Sequence, residues 1–176
     1  SVISLLLLAG KSKQGLPVYP ITRRRAHGMS HTSHHESRVV AVTPERMFDL
    51  VADVERYPEF VPLIHSAKVI NRQATHYETE QVMGLGLLRH RFRTRTELDR
   101  PKTVTVTSTD PSFRRFEIRW SFEPTPEGFC HAEFSLDCEV RSLLLKPLGE
   151  ALMTQMAATM VNAFATRARK LEAAGR

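Results

Sequence analysis

The 176-residue chain is short of cysteine, with only Cys130 and Cys138, and its apolar runs fall below the about 18 residues that a membrane-spanning helix needs. The two cysteines stand eight residues apart in one predicted strand. That spacing is roughly 26 Å along a strand, too far for a disulfide. Neither cysteine has a second cysteine or a histidine at the spacing of metal ligands. We therefore expect two reduced core thiols in a reducing compartment and no metal site.

Motifs for nucleotide binding and for catalysis are also missing. The GLG at 84–86 is a turn and not part of a GxGxxG or P-loop motif, and GxSxG, HExxH and CxxC do not occur. His90 is the one candidate for acid/base chemistry, because strand alternation turns it toward the predicted interior. It can equally be a polar contact for a ligand or a hydrogen-bonded residue at the sheet margin. We predict a protein that is not an enzyme, and a cyclase or hydrolase would have to depend on His90.

The net charge of +6 lies mostly at one end of the chain. Residues 1–28 contain five basic residues and no acidic ones, so residues 29–176 carry 20 basic and 19 acidic residues. A nearly neutral domain argues against a primary nucleic-acid binder, and we expect no DNA partner. Residues 1–35 are predicted to be a disordered tail, either non-native, a targeting segment or a real arm, and residues 36–174 a single domain.

Hydrophobic periodicity predicts a sheet closed by one long helix. Thr43 and Pro44 form a good helix start, and Pro58 and Pro62 limit the segment that follows to a short second helix or turn. The predicted strands are 36–42, 64–73, 75–83, 87–98, 102–109, 114–124 and 128–141, and the predicted helices are 44–52, about 53–62 and 143–173. We expect an α+β fold in which a curved antiparallel sheet of about seven strands wraps the C-terminal helix, with a cavity beneath that helix.

Alternation in strand 87–98 is strict and separates two kinds of side chain. Four arginines share the outer face, namely Arg89, Arg91, Arg93 and Arg95. Such a stripe can contact an anionic surface, or it can pair with glutamates on neighbouring strands. Met153, Met156 and Met160 in the long helix offer a similar choice, because methionine suits both a lipid-tail pocket and an ordinary core.

Four motifs carry a resemblance to a known family, and together they extend from about Arg38 to Glu172. They are MFDLVADVERYPEFVP (47–62), WSFEP (120–124), CHAEFSLDCEVRS (130–142) and MVNAFATRARKL (160–171). On these motifs the chain resembles the coenzyme Q-binding START-like proteins of the polyketide cyclase/START superfamily. The resemblance implies a helix-grip fold.

The resemblance implies two functions that the motifs do not separate. One is a non-enzymatic chaperone or carrier for a lipid, with ubiquinone as the bound ligand, no required cofactor, transient contact with a membrane surface and a role in respiratory electron transport. It would act in the bacterial cytoplasm at the inner membrane, or alternatively at the matrix face of the mitochondrial inner membrane. The other is a ribosome-association toxin that binds the large ribosomal subunit and blocks subunit joining.

Within a helix-grip fold, the segment DVERYPEFVP (53–62) borders the mouth of the cavity. Tyr57 and Phe60 would flank an entering quinone ring, with the headgroup near His90, while Val61 would present apolar surface to a membrane. Alternatively, Phe60 and Val61 are core residues that Tyr57 caps. The predicted contacts of the isoprenoid tail are Phe92, Trp120, Phe134, Leu152, Met156 and Met160.

Overall fold

A computed structural model describes residues 31–141 and 146–175. The elements in chain order are β1 (His31–Val40), α1 (Pro44–Ala52), a short 3₁₀ helix (Val54–Glu59), β2 (Ile64–Arg72), β3 (His76–Leu85), β4 (Leu88–Asp99), β5 (Thr103–Thr107), β6 (Phe113–Pro124), β7 (Cys130–Val140) and α2 (Lys146–Ala173). The strands form one antiparallel sheet in the order β1-β7-β6-β5-β4-β3-β2. The predicted α+β class, with a curved seven-stranded sheet and a closing C-terminal helix, is confirmed.

The first helix begins as the sequence predicts. Thr43 precedes it in an extended conformation and its hydroxyl accepts a hydrogen bond from the backbone N–H of Arg46, while Pro44 occupies the first turn. Met47 and Val51 are fully buried, so one face of the helix belongs to the core. The short 3₁₀ helix follows at once and contains Pro58, as expected for a segment that cannot continue as a regular α-helix.

The first strand is longer than predicted. It begins at His31, whereas residues up to 35 were expected to lie in a tail, and His31 pairs with Glu139 while Val40 pairs with Cys130. The stretch HTSHHES lacks apolar alternation, so the sequence itself gives no strand signal. The edge of β7 supplies hydrogen-bond partners that override this weak local preference. The predictions for residues 1–30 and for the helix start at 143 lie outside the described residues.

The helix α2 covers the concave side of the sheet and packs against β1, β7 and α1. Its buried face includes Met153, Met156, Val161 and Phe164. The ring of Phe164 contacts Trp120 of β6 at a centroid distance of 5.2 Å. Sheet and helix therefore share one apolar core.

Candidate functional site

A small cavity lies between the concave side of the sheet and α2, and its volume is about 30 Å³. Five structural elements of the sheet contribute to its wall, together with the 3₁₀ helix and α2. The lining residues are Val54, Tyr57, Ile64, Tyr77, Gln81, Met83, Phe92, Thr94, Thr96, Val106, Phe116, Ile118, Trp120, Met156 and Met160. This volume has room for one or two water molecules, so the cavity is closed around very little space.

Half of the predicted ligand contacts reach this cavity. Tyr57, Phe92, Trp120, Met156 and Met160 line it. Their convergence from the 3₁₀ helix, two strands and α2 follows from the helix-grip topology. The roles of these five residues in ligand binding remain predictions.

The remaining predicted contacts lie elsewhere. Phe134 is fully buried and its ring packs against Trp120 at 4.9 Å, so it supports a cavity residue from the core. The side chain of Leu152 lies outside the described residues. Val61 is only 3% exposed, so the expectation that it presents apolar surface to a membrane is wrong. It packs in the main core because the 3₁₀ helix turns the chain inward before β2 begins.

The aromatic segment forms part of the cavity wall and is held against α2. Tyr57 and Phe60 both meet Phe164 edge-on, with ring centroids 5.1 and 5.0 Å away. The hydroxyl of Tyr57 donates a hydrogen bond to the backbone carbonyl of Val51. Both rings therefore join the segment to the helix, and Tyr57 also lines the cavity, while a role for either residue beside an entering ligand stays a prediction.

An ion pair reinforces the contact between this segment and α2. A guanidinium nitrogen of Arg167 lies 2.6 Å from a carboxylate oxygen of Glu59, and the same guanidinium sits over the ring of Phe60 at 5.3 Å. Hydrogen bonding to Arg56, aided by Arg167, lowers the pKa of Glu59. The carboxylate is therefore ionised at neutral pH, and the segment is fastened to the helix by charge as well as by aromatic packing.

His90 is not one of the lining residues, although it neighbours one. Its ring stacks on Phe92 at 5.9 Å and meets Phe113 edge-on at 6.1 Å. Its Nε2 atom is buried and has no hydrogen-bond partner among the residues that the structure describes. The proposed contact between His90 and a headgroup therefore stays a prediction, and the nitrogen is positioned at the edge of the aromatic wall.

The sequence did not indicate that β3 also turns polar side chains inward, so that a run of buried polar residues crosses the inner faces of β3 and β4. We call it the polar ladder, and its members are Tyr77, Thr79, Gln81, Thr94 and Thr96. The register pairs Tyr77 with Thr96 and Thr79 with Thr94, while Gln81 lies one rung further along. Each member is less than 8% exposed. Four of the five line the cavity, and Thr79 is bonded to two that do.

Three members of the polar ladder form a hydrogen-bonded triangle. The hydroxyl oxygens of Thr79 and Thr94 are 2.6 Å apart, and the amide nitrogen of Gln81 donates to both, at 3.2 and 3.1 Å. Tyr77 donates separately to the backbone carbonyl of Ala52 at 2.8 Å, and burial raises its pKa to about 12. The wall of the cavity is therefore polar on one side and carries no charge there at neutral pH.

Acidic, basic and metal-binding side chains are absent from the described wall of the cavity. The described lining residues include no carboxylate, lysine, arginine or histidine. Burial raises the pKa of both Cys130 and Cys138 to about 12, so the thiols stay protonated. Within the described residues, no three histidine, cysteine or acidic side chains come together as metal ligands.

The arginine stripe faces outward as predicted and is largely paired. Glu80 accepts Arg91 at 2.5 Å and lies 3.7 Å from Arg93, while Arg95 lies 3.4 Å from Glu97. Arg89 donates to the backbone carbonyl of Gly86. The side chains of Arg91 and Arg93 nevertheless remain 67% and 71% exposed and share one carboxylate. The stripe is therefore a salt-bridged face with some excess positive charge.

Among the described helices, none is both long enough and apolar enough to cross a membrane.

The curated relatives of this chain include two proteins with different names. The ribosome association toxin RatA of Pseudomonas aeruginosa is 31% identical over 141 residues, covering 80% of this chain and 98% of that protein. The mitochondrial coenzyme Q-binding protein COQ10 homolog B of Xenopus laevis is 27% identical over 148 residues, covering 82% of this chain and 61% of that protein. Neither relative is named as an enzyme.

The fold is shared with an enzyme as well. The crystal structure of the ZhuI aromatase/cyclase from a Streptomyces species matches with a TM-score of 0.70 over 80% of this chain and 95% of that one, at 13% identity. At that identity the likeness concerns the fold alone. A family profile described as polyketide cyclase / dehydrase and lipid transport matches residues 40–165. The chain therefore belongs to this START-like family, as its motifs and its helix-grip architecture indicate.

Proposed function

We propose that this protein binds a hydrophobic lipid without chemically changing it, and that the ligand is ubiquinone or a related polyprenyl quinone. The observation that carries the proposal is the cavity wall, which joins Trp120, Phe92 and two methionines of α2 to an uncharged polar ladder. Such a wall suits a ligand that is apolar along most of its length and carries a neutral polar head. The name of the Xenopus relative supports the same ligand class.

A lipid of this size requires the cavity to widen. Ligand pockets usually enclose about 300 Å³ or more, roughly ten times the volume present here. Met156 and Met160 are suited to this change, because methionine side chains adapt to new shapes at low cost. Burying each methylene of a tail contributes about 0.8 kcal/mol, so about ten of them match the 8 kcal/mol of a micromolar Kd. A longer isoprenoid tail would offset the cost of separating α2 from the sheet.

The lining residues also favour binding over catalysis. General acid–base catalysis at neutral pH needs a group with a pKa near 7. Tyr57 and Tyr77 are the titratable residues of the described wall, and burial raises the pKa of both, Tyr77 to about 12. We propose that binding requires no cofactor.

We further propose that the protein is a carrier that supports respiratory electron transport. It would act in the bacterial cytoplasm, peripheral to the inner membrane, or alternatively at the matrix face of the mitochondrial inner membrane.

The experiment that tests the proposal is purification of the expressed chain without detergent, followed by identification of bound lipids by mass spectrometry. We expect a polyprenyl quinone in a stoichiometric amount. Trp120, the only tryptophan of the chain, lines the cavity and reports binding by fluorescence when the delipidated protein is titrated with quinone. A protein that carries no lipid and shows no fluorescence change with quinone would contradict the proposal.

A second candidate function rests on the exposed arginines. Arg91 and Arg93 share Glu80 and retain excess positive charge, and the Pseudomonas relative is named for ribosome association. This candidate expects co-sedimentation with large ribosomal subunits that weakens steeply as salt rises. Changing Arg91 and Arg93 to serine should abolish it, while Arg169→Ser, an exposed change on α2, should not. Co-sedimentation that survives the double change would exclude the stripe as the contact.

A further inference from the structure

We infer that the triangle of Thr79, Gln81 and Thr94 recognises an oxygen atom of the ligand's headgroup that accepts hydrogen bonds. This inference rests on the proposed function, because it concerns the same cavity. It also differs from the sequence prediction, which placed the headgroup beside Tyr57, Phe60 and His90. Two observations support the new assignment. The triangle has a hydrogen-bond donor to spare, whereas Tyr57 and Phe60 already have other partners and His90 does not line the cavity.

The triangle contains one hydrogen-bond donor that its own acceptors do not use. The amide of Gln81 supplies two N–H groups, and the two threonine oxygens accept one each. The two hydroxyls carry one proton each, and only one proton is needed for the bond between Thr79 and Thr94. Within the described part of the chain, no acceptor is found for the second hydroxyl proton. A buried donor without an acceptor is costly, so the arrangement is suited to an incoming acceptor oxygen.

The position of the triangle fits this role. Gln81 and Thr94 line the same cavity as Trp120, Met156 and Met160. An acceptor oxygen bound to the triangle would therefore leave the rest of the ligand among apolar side chains. A hydrogen bond to the triangle would be stronger than one at the surface, because the triangle is buried and water does not compete for it.

The alternative headgroup contacts have less to offer. The hydroxyl proton of Tyr57 is already donated to the carbonyl of Val51, and Phe60 is packed between Phe164 and Arg167. His90 does not line the cavity. Neither a carboxylate nor a phosphate would find a cation in the described wall, so a charged headgroup is disfavoured. The ligand class that matches is an uncharged ring with carbonyl or ether oxygens, as in a quinone.

The test compares two ligands with the same tail. Decylubiquinone carries carbonyl and methoxy oxygens, whereas decylbenzene carries none, and both can be delivered from cyclodextrin to the full chain. We expect the wild-type protein to prefer decylubiquinone. Gln81→Met and Thr94→Val, which change shape little, should each weaken decylubiquinone binding about tenfold. Binding of decylbenzene should stay unchanged or strengthen, because the replacements make the wall more apolar.

The controls separate recognition from folding. Thr105→Val makes the same chemical change as Thr94→Val, but Thr105 lies at an outer depression of the sheet, so neither affinity should change. Melting temperatures verify that each variant is folded. If Gln81→Met is unstable, the two affinities of Thr94→Val still test the inference. If the variants bind both ligands as the wild type does, or lose both equally, this inference is overturned while the proposed function stands. If the wild type binds neither ligand, both are overturned.

Discussion

The inner faces of strands β3–β4 and β6–β7 belong to the same sheet and look toward the same helix, yet they are built from different side chains. On β6 and β7, the paired inward residues are aromatic, aliphatic or thiol-bearing, for example Trp120 opposite Phe134 and Ile118 opposite Leu136. On β3 and β4, the inward pairs include Thr79 opposite Thr94 and Tyr77 opposite Thr96. Both regions are almost completely buried.

The difference indicates that the two regions of the sheet have different roles. Apolar pairs gain free energy from burial, at about 25 cal/mol for each Å² of apolar surface. Buried polar groups give little net stability, because their hydrogen bonds replace equally good ones to water. We therefore expect β6 and β7 to stabilise the fold and the polar ladder to select the ligand.

Thiol chemistry tests whether the apolar side of the core excludes water. Cys130 and Cys138 point inward on β7, and burial raises their pKa from 9.0 to about 12. At pH 8 the thiolate fraction falls about a thousandfold for such a shift, and the thiolate is the reactive species. A thiolate of higher pKa is a better nucleophile, which offsets part of this loss, but burial also keeps the reagent from the sulfur. Reaction with a disulfide reagent should therefore be slower by orders of magnitude in the native protein than in urea. Rapid reaction of either thiol in the native state would show that water reaches this face.

Trp120→Ala tests the contribution of the apolar side to stability. Trp120 is 2% exposed and contacts Phe134, Phe122 and Phe164. Its removal should lower the free energy of unfolding by about 3–5 kcal/mol. Urea denaturation measures this value, and Trp120→Phe, which keeps most of the ring contacts, should cost clearly less. A loss below 1 kcal/mol would mean that the site collapses without penalty and that the apolar side does not carry the stability.

Thr94→Val tests the contribution of the polar ladder. Alone, it leaves the amide of Gln81 and the hydroxyl of Thr79 without their shared partner, which should cost about 1–2 kcal/mol of unfolding free energy. The triple change of Gln81→Met, Thr79→Val and Thr94→Val removes every group of the triangle, so it should lie within about 1 kcal/mol of the wild type. Strictly additive losses in urea denaturation would count against a coupled triangle.

The sequence revealed most of the fold because its alternation is strong in the strands that matter. In β4, strict alternation put the arginines outside and the residues between them inside, and the structure agrees, since Phe92, Thr94 and Thr96 are buried. The cap at Thr43 located the first helix for the same reason, since its chemistry is local. Helix-grip closure followed from the length of the last helix and from the family motifs.

The β3 half of the polar ladder was missed for a physical reason. In β3, the inward residues Tyr77, Thr79 and Gln81 alternate with Glu78 and Glu80, so both faces read as polar. Only the register with β4 shows that Thr79 meets Thr94 inside the core. The strand at His31 was missed for a related reason, because it depends on pairing with β7. Interactions between distant segments decide both features, and a single sequence does not display them.

The most direct test of the central claim is to locate each end of the ligand in the bound protein by nuclear Overhauser effects. The full chain would carry isotope-labelled threonine and methionine methyl groups and would bind unlabelled decylubiquinone. The account predicts contacts from the methoxy protons of the ring to the methyls of Thr79 and Thr94, and from the tail protons to those of Met156 and Met160. Ring contacts to the methionines with tail contacts to the threonines, or no contact to either set, would contradict it.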